Sequence, residues 1–134
     1  MRRIQKRDAG FTLVELMIVM AIIGVLLTVA IPSYLGAVRQ AREAVLKEDL
    51  HTMRSAIDSY TADKQKAPQS LDDLVNEGYL REIPIDPMTN TREWGKRSDQ
   101  DDPKSTSWGG QDVFDIYSKT QEKAPDGTPY SEWQ

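Results

Sequence analysis

The sequence contains no cysteine and only one histidine among its 134 residues. The absence of cysteine excludes disulfides, thiolate zinc sites, iron–sulfur clusters and a cysteine nucleophile. A single histidine excludes a metal site built from several histidines, and we expect His51 to be a solvated residue on the polar side of a helix. The sequence shows no serine–histidine–aspartate set and no glycine-rich phosphate loop, so nothing in it indicates an enzyme.

Positive charge is also scarce, with 17 Lys and Arg against 21 Asp and Glu and a formal net charge of −4. An acidic chain is a poor candidate for general nucleic-acid binding. A local basic patch such as Arg92, Lys96 and Arg97 could still bind DNA, but the overall acidic charge argues against it. We therefore expect no nucleic-acid partner.

Residues 11–38 form a nearly continuous apolar run in which Glu15 is the only charged side chain. About 20 apolar residues in a helix suffice to cross the hydrocarbon core of a membrane. Four basic residues precede the run, and this asymmetry predicts a cytoplasmic N-terminus with the rest of the chain across the membrane. These basic residues are Arg2, Arg3, Lys6 and Arg7.

Two common kinds of apolar segment explain this run incompletely. A secretory signal would be cleaved near Ala30, but its apolar region would be long, would contain Glu15 and would be followed awkwardly by Pro32. A plain single-pass anchor explains neither Glu15 nor the abrupt junction between Gly10 and Phe11. A carboxylate at the centre of a membrane helix costs roughly 2.5–3.5 kcal/mol on insertion scales.

The junction Gly10-Phe11-Thr12-Leu13-Val14-Glu15 resembles the processing motif of the type IV pilin-like family. The resemblance implies that a prepilin peptidase cleaves after Gly10 and that the new N-terminal Phe11 is N-methylated. It assigns filament assembly to Glu15 and helix kinking or melting to Gly24 and Pro32. It divides the chain into a leader (1–10), a transmembrane and assembly half-helix (11–38) and a periplasmic domain (39–134).

Helical periodicity continues beyond the apolar run to about Lys64. An apolar stripe recurs in steps of three and four residues and includes Leu46, Leu50, Met53, Ile57 and Tyr60. On the polar face, Glu43 with Lys47 and Arg54 with Asp58 are four residues apart and are expected to form weak pairs.

The sequence pattern of the C-terminal part predicts an α+β fold. We expect a short helix over Leu71–Glu77, with Ser70 as its N-cap and Gly78 ending it. Strands are predicted over Thr91–Gly95, Gln111–Ser118 and Tyr130–Trp133, with a loop over Lys96–Gly110. Within the second strand, Val113 and Asp115 should face one way, and Phe114 and Ile116 the other. This small antiparallel sheet must pack on the long N-terminal helix, because it cannot bury a core alone.

The same region is similar to one branch of the family, the major pseudopilins of type II secretion systems. The similarity rests on the Leu71-Asp72-Asp73-Leu74 helix, the Pro84-Ile85-Asp86-Pro87 link, the Asp112-Val113-Phe114-Asp115 strand and the lack of a C-terminal cysteine pair. It implies a homopolymer in the periplasm that helps to export folded proteins. The implied partners are the prepilin peptidase, the inner-membrane assembly platform and minor pseudopilins.

The resemblance also implies a calcium site in the C-terminal loop of many such proteins. Calcium requires six to eight oxygen ligands, and this loop has no pair of adjacent aspartates. A loop that folds without metal is therefore favoured over a calcium site. The oxygen-bearing residues available are Asp126, Thr128, Ser131 and Glu132, with Asp115 and Glu122 nearby in sequence only.

Three other functions are also compatible with the sequence. The chain could be the major subunit of an extended type IV pilus, a pilin for DNA uptake, or a membrane-anchored periplasmic enzyme or binding protein. Loss of a leader with four basic residues and one acidic residue would change the formal charge from −4 to −7. That change argues against DNA uptake.

Overall fold

The structure, a computed structural model, describes residues 10–98 and 112–134. Its elements are helix α1 (Leu13–Lys64), helix α2 (Leu71–Asn76), strand β1 (Trp94–Arg97), strand β2 (Asp115–Ser118) and a 3-10 helix (Tyr130–Glu132). The α+β class and the long N-terminal helix are confirmed. The chain forms two compact units, one extending to Arg39 and the other from Gln40 to Gln134.

Within the described ranges, every buried core residue belongs to the second unit. The C-terminal half of α1 contributes one buried stripe to it, as the periodicity predicts, because residues three or four apart share a helix face. Side chains from α2, both strands and the last turn complete the core. Its members are Leu46, Leu50, Met53, Ala56, Ile57, Tyr60, Leu71, Leu74, Leu80, Trp94, Val113, Ile116, Ala124 and Tyr130.

Helix α2 begins with a capping box. The Ser70 hydroxyl accepts a hydrogen bond from the Asp73 backbone N–H, and the Asp73 carboxylate accepts one from the Ser70 N–H. At the other end, Gly78 has φ of +82°, a left-handed conformation that suits glycine. The Tyr79 and Leu80 N–H groups then donate to the Leu74 carbonyl. Both predicted boundary signals are confirmed, although the helix ends one residue earlier, at Asn76.

The sheet has two antiparallel strands, with Trp94 opposite Ser118 and Arg97 opposite Asp115. The first predicted strand starts three residues too early, since β1 begins at Trp94. The second is also shorter than predicted and begins at Asp115. The predicted loop is wrong at its start, because Lys96 and Arg97 belong to β1; its part from 99 to 110 lies outside the described residues.

Two predictions for the C-terminal part are wrong. Val113 is buried and Phe114 is 63% exposed. Phe114 precedes β2, so the alternation that buries Ile116 and Ser118 does not extend back to it. The third strand is absent, because residues 130–132 form a 3-10 helix whose Tyr130 side chain enters the core. Only Lys123 and Pro129 pair there, as an isolated bridge across the turn at Gly127.

Candidate assembly site

The N-terminal half of α1 is apolar and uncovered within the subunit. By length and composition, α1 is the one helix in the described part of the chain that could span a membrane, and its most apolar stretch has no buried residue. Phe11 is 94% exposed. The exposed large apolar side chains of this half are Phe11, Leu13, Val14, Leu16, Met17, Ile18, Val19, Met20, Ile22, Ile23, Val25, Leu26, Leu27, Val29, Ile31, Tyr34 and Leu35.

Glu15 lies at the start of this helix in a reciprocal pair with Thr12. The Thr12 hydroxyl accepts from the Glu15 N–H at 3.2 Å, and a Glu15 carboxylate oxygen accepts from the Thr12 N–H at 3.4 Å. The Leu16 N–H donates to the Thr12 carbonyl, so Thr12 has the geometry of an N-cap and Glu15 that of the third helical residue. An acidic side chain is favourable there, because the helix N-terminus carries partial positive charge.

The Thr-x-x-Glu spacing of Thr12 and Glu15 is the sequence signature of this box, whereas the family motif assigns Glu15 a role between subunits. The structure adds a role within the subunit. Both residues are exposed, so the carboxylate can also be reached from outside the chain.

Helix α1 continues through Gly24 and Pro32. Pro32 has no N–H, so the Thr28 carbonyl lacks its usual helical donor. The Thr28 and Ser33 hydroxyls donate to the Val25 and Val29 carbonyls, at 2.6 and 3.1 Å. A Cβ added at Gly24 would meet no atom within 4 Å, so packing within the subunit does not require glycine there. Kinking or melting at Gly24 and Pro32 stays a prediction.

The contacts made by the polar face of α1 differ from those that the sequence predicted. Among the described residues neither predicted pair, Glu43 with Lys47 or Arg54 with Asp58, is an ion pair. Contacts with the C-terminal part of the chain replace them. The Tyr130 hydroxyl donates to Glu43 at 2.7 Å, Lys47 lies 4.7 Å from the centre of the Trp133 ring, and Arg54 pairs with Asp115 at 2.7 Å. Helical spacing could not reveal partners so distant in sequence.

His51 is exposed on α1, as predicted. It lines an open groove of about 320 Å³ with Thr52, Ser55, Ser59 and Tyr79 among its neighbours. In the described ranges 10–98 and 112–134, no three His, Cys, Asp or Glu side chains are grouped so that they could hold a metal ion. The groove offers hydroxyl groups and one imidazole.

Comparison with known proteins identifies the motif and the family. Residues 5–31 match the family model described as the prokaryotic N-terminal methylation motif. The chain is 32% identical to type II secretion system core protein G of Klebsiella pneumoniae, in an alignment covering 94% of this chain and 91% of that protein. The chain belongs to the type II secretion system core protein G family. The homologue from Pseudomonas aeruginosa is 30% identical, with 85% of this chain and 84% of that protein covered. No solved structure gives a significant match.

Family membership fits the observation that the N-terminal half of α1 contributes no residue to the buried core. A domain that folds independently would bury a helix face this apolar. Among the residues that the structure describes in this core protein G homologue, every core member lies beyond Gln40. The described residues of the methylation motif, 10–31, contribute nothing to that core.

Proposed function

We propose that the chain is the structural subunit of a type II secretion pseudopilus that drives export of folded proteins across the outer membrane. The uncovered apolar half of α1, with a carboxylate at its start, is the observation that carries this proposal. It suits a subunit that first lies in a lipid bilayer and then packs against other copies of itself. The role is structural rather than enzymatic.

The proposed sequence of events begins with leader removal. The prepilin peptidase cleaves after Gly10 at the cytoplasmic face of the inner membrane, and the Phe11 amine is then methylated. The C-terminal domain lies in the periplasm. An inner-membrane assembly platform and minor pseudopilins act with the homopolymer.

Glu15 is proposed to pair with the Phe11 amine of a neighbouring subunit. Within its own subunit the carboxylate accepts a hydrogen bond of 3.4 Å from Thr12 and retains capacity for further donors. Near the membrane interface water can hydrate it. Inside an apolar bundle it needs a cation, and such a pair fixes the register between subunits.

The test compares two ways of changing Glu15. Glu15→Gln keeps an acceptor for the Thr12 N–H but removes the charge, whereas Thr12→Val removes the cap hydroxyl and leaves the charge. We expect both variants to be processed, which intact-mass spectrometry confirms as a chain that starts at N-methylated Phe11. Gly10→Arg should remain unprocessed.

Assembly is scored as sheared or cross-linked oligomers from cells that express each variant at matched levels. Glu15→Gln should lose most filaments, because breaking a buried pair costs about 3–5 kcal/mol. Thr12→Val should lose fewer, since an N-cap is worth about 1 kcal/mol. Wild-type assembly by Glu15→Gln would refute the pairing. Long surface fibres instead of short periplasmic rods in electron micrographs would favour a pilus.

A further inference from the structure

Two of the candidate calcium ligands near the C-terminus, Asp126 and Asp115, have partners within the protein. The Asp126 carboxylate accepts from the Thr128 N–H at 2.9 Å and from its hydroxyl at 2.5 Å. These hydrogen bonds hold the pKa of Asp126 below its usual range. The family resemblance left calcium as an alternative for this loop, but Thr128 occupies one Asp126 oxygen with two hydrogen bonds inside one turn.

Asp115, another of the candidate ligands, is bound by arginine. The Arg54 Nε donates to one carboxylate oxygen at 2.7 Å, and an Nη of Arg97 lies 3.7 Å from the other oxygen. Both oxygens of the carboxylate therefore face guanidinium groups. A calcium ion would have to displace two positive charges to use them.

Backbone carbonyls converge on the same two guanidinium groups. The Arg54 Nη2 donates to the carbonyl of Ile116 in β2 at 3.0 Å and to the carbonyl of Trp133 at 3.1 Å. The Arg97 Nη2 donates to the Ser131 carbonyl at 3.3 Å. One carboxylate and three carbonyls form the kind of oxygen set that a calcium ion collects.

We propose that Arg54, assisted by Arg97, is an internal cation that takes the place of a bound metal ion and ties residues 128–134 to α1 and β2. Arg54 contacts all three parts at once, since it belongs to α1, pairs with Asp115 of β2 and holds the carbonyl of Trp133. Its side chain is only 23% exposed. The C-terminal segment is therefore held without calcium.

An internal cation has different consequences from a bound one. The stabilisation that a bound ion gives depends on its concentration, rising with the logarithm of that concentration above the dissociation constant. A guanidinium group is covalently present and remains charged throughout the physiological pH range. Its planar fork also suits several acceptors at once, which a lysine ammonium does not reproduce.

The experiment uses the full mature chain in detergent. Thermal unfolding is followed by near-ultraviolet circular dichroism, with excess EDTA or with calcium chloride at about 10 mM, above the dissociation constants of weak extracellular calcium sites. We expect the same Tm in both. A higher Tm with calcium, or a lower one with EDTA, would overturn the proposal.

Variants then test the arginines by hydrogen exchange at the amides of residues 128–134. Arg54→Met should accelerate exchange at least tenfold, the factor expected for losing one charge-assisted hydrogen bond, and Arg54→Lys should fall in between. Arg42→Met, exposed on the same helix, should change nothing. Unaltered exchange in Arg54→Met would contradict the proposal.

Arg97→Met tests the proposal if Arg54→Met does not fold. It removes one guanidinium group from Asp115 and Ser131 but leaves the Arg54 contacts in place. We expect exchange in residues 128–134 to rise about two- to fivefold, as for a partly exposed interaction. Wild-type exchange rates in this variant would overturn the proposal. Recovery of the wild-type Tm in either arginine variant on addition of calcium chloride would also overturn it.

Discussion

Asp86 and Ser118 offer the sharpest test of how the domain is held together. Both residues are fully buried. The Ser118 hydroxyl donates a short hydrogen bond to one Asp86 carboxylate oxygen, and the Met88 N–H donates to the other at 2.8 Å. The Asp86 N–H donates to the Thr91 carbonyl. This network attaches the link before β1 to the end of β2.

The expected cost of breaking it follows from burial. A hydrogen bond to a charged group contributes about 1.5–3 kcal/mol, and an unsatisfied buried group costs about 1–3 kcal/mol. Ser118→Ala removes one of two donors from a carboxylate that water cannot reach, so we expect a loss of about 2 kcal/mol. Asp86→Ala leaves the Ser118 hydroxyl and the Met88 N–H without an acceptor but also removes the buried carboxylate. We expect it to lower the free energy of unfolding by about 3 kcal/mol.

The assay is urea and thermal unfolding of residues 40–134, the unit that contains the whole core. A loss of 2 kcal/mol should lower Tm by roughly 8–16 °C in a domain of this size. The double variant should cost little more than Asp86→Ala, because the two side chains serve one interaction. Additive costs, with a coupling below about 0.5 kcal/mol, would refute the account. Exposed Asp58→Asn is the control.

Three further outcomes are expected. Gly24→Ala should raise helix stability by about 1 kcal/mol without a clash in the subunit. If the helix melts at this position during assembly, the yield of cross-linked oligomers should decrease. An unchanged yield would contradict melting. Gly95→Ala should cost about 1–3 kcal/mol in urea unfolding, because the new Cβ overlaps the Tyr117 ring, and Tyr117→Ala should relieve most of that cost. Asp49→Asn should stabilise the domain at pH 7 by roughly 0.5 kcal/mol, since burial and then the charges of Asp86 and Glu48 raise the pKa of Asp49. A carboxyl group with a raised pKa destabilises the fold when the pH is above its folded-state pKa, and has no such effect below the unfolded value of 3.8. The stability gained in Asp49→Asn should therefore vanish at about pH 3. A gain that persists at that pH would contradict the raised pKa of Asp49.

Local signals in the sequence predicted the helices well. The box at Ser70, the left-handed Gly78 and the stripe from Leu46 to Tyr60 each depend on residues within four positions of one another. Such spacing can be read along the chain, because a helix makes its hydrogen bonds locally. The N-terminal motif is equally local, and the match over residues 5–31 confirms its identity.

The strands and the polar contacts were predicted less well, for a different reason. The limits of β1 and β2 depend on each other, and the sequence gives no direct sign that Trp94 lies opposite Ser118. The Tyr130 segment alternates like a strand but buries its ring on α1, where the hydroxyl meets Glu43. Residues so distant in sequence come together only through tertiary packing, which overrides weak strand propensity.

The two halves of α1 satisfy different requirements with the same secondary structure. Beyond Gln40, the helix needs a narrow apolar stripe, because the other elements of the domain cover one face and water covers the rest. Before Arg39, apolar side chains surround the helix, so no single partner within the chain could cover them. Lipid covers such a surface in any orientation, whereas neighbouring copies must approach it in register. The one charged side chain of this half, Glu15, is proposed to supply the register that uniform apolar packing lacks. In our proposal Glu15 therefore matters little to the folding of the domain and much to the order of the filament.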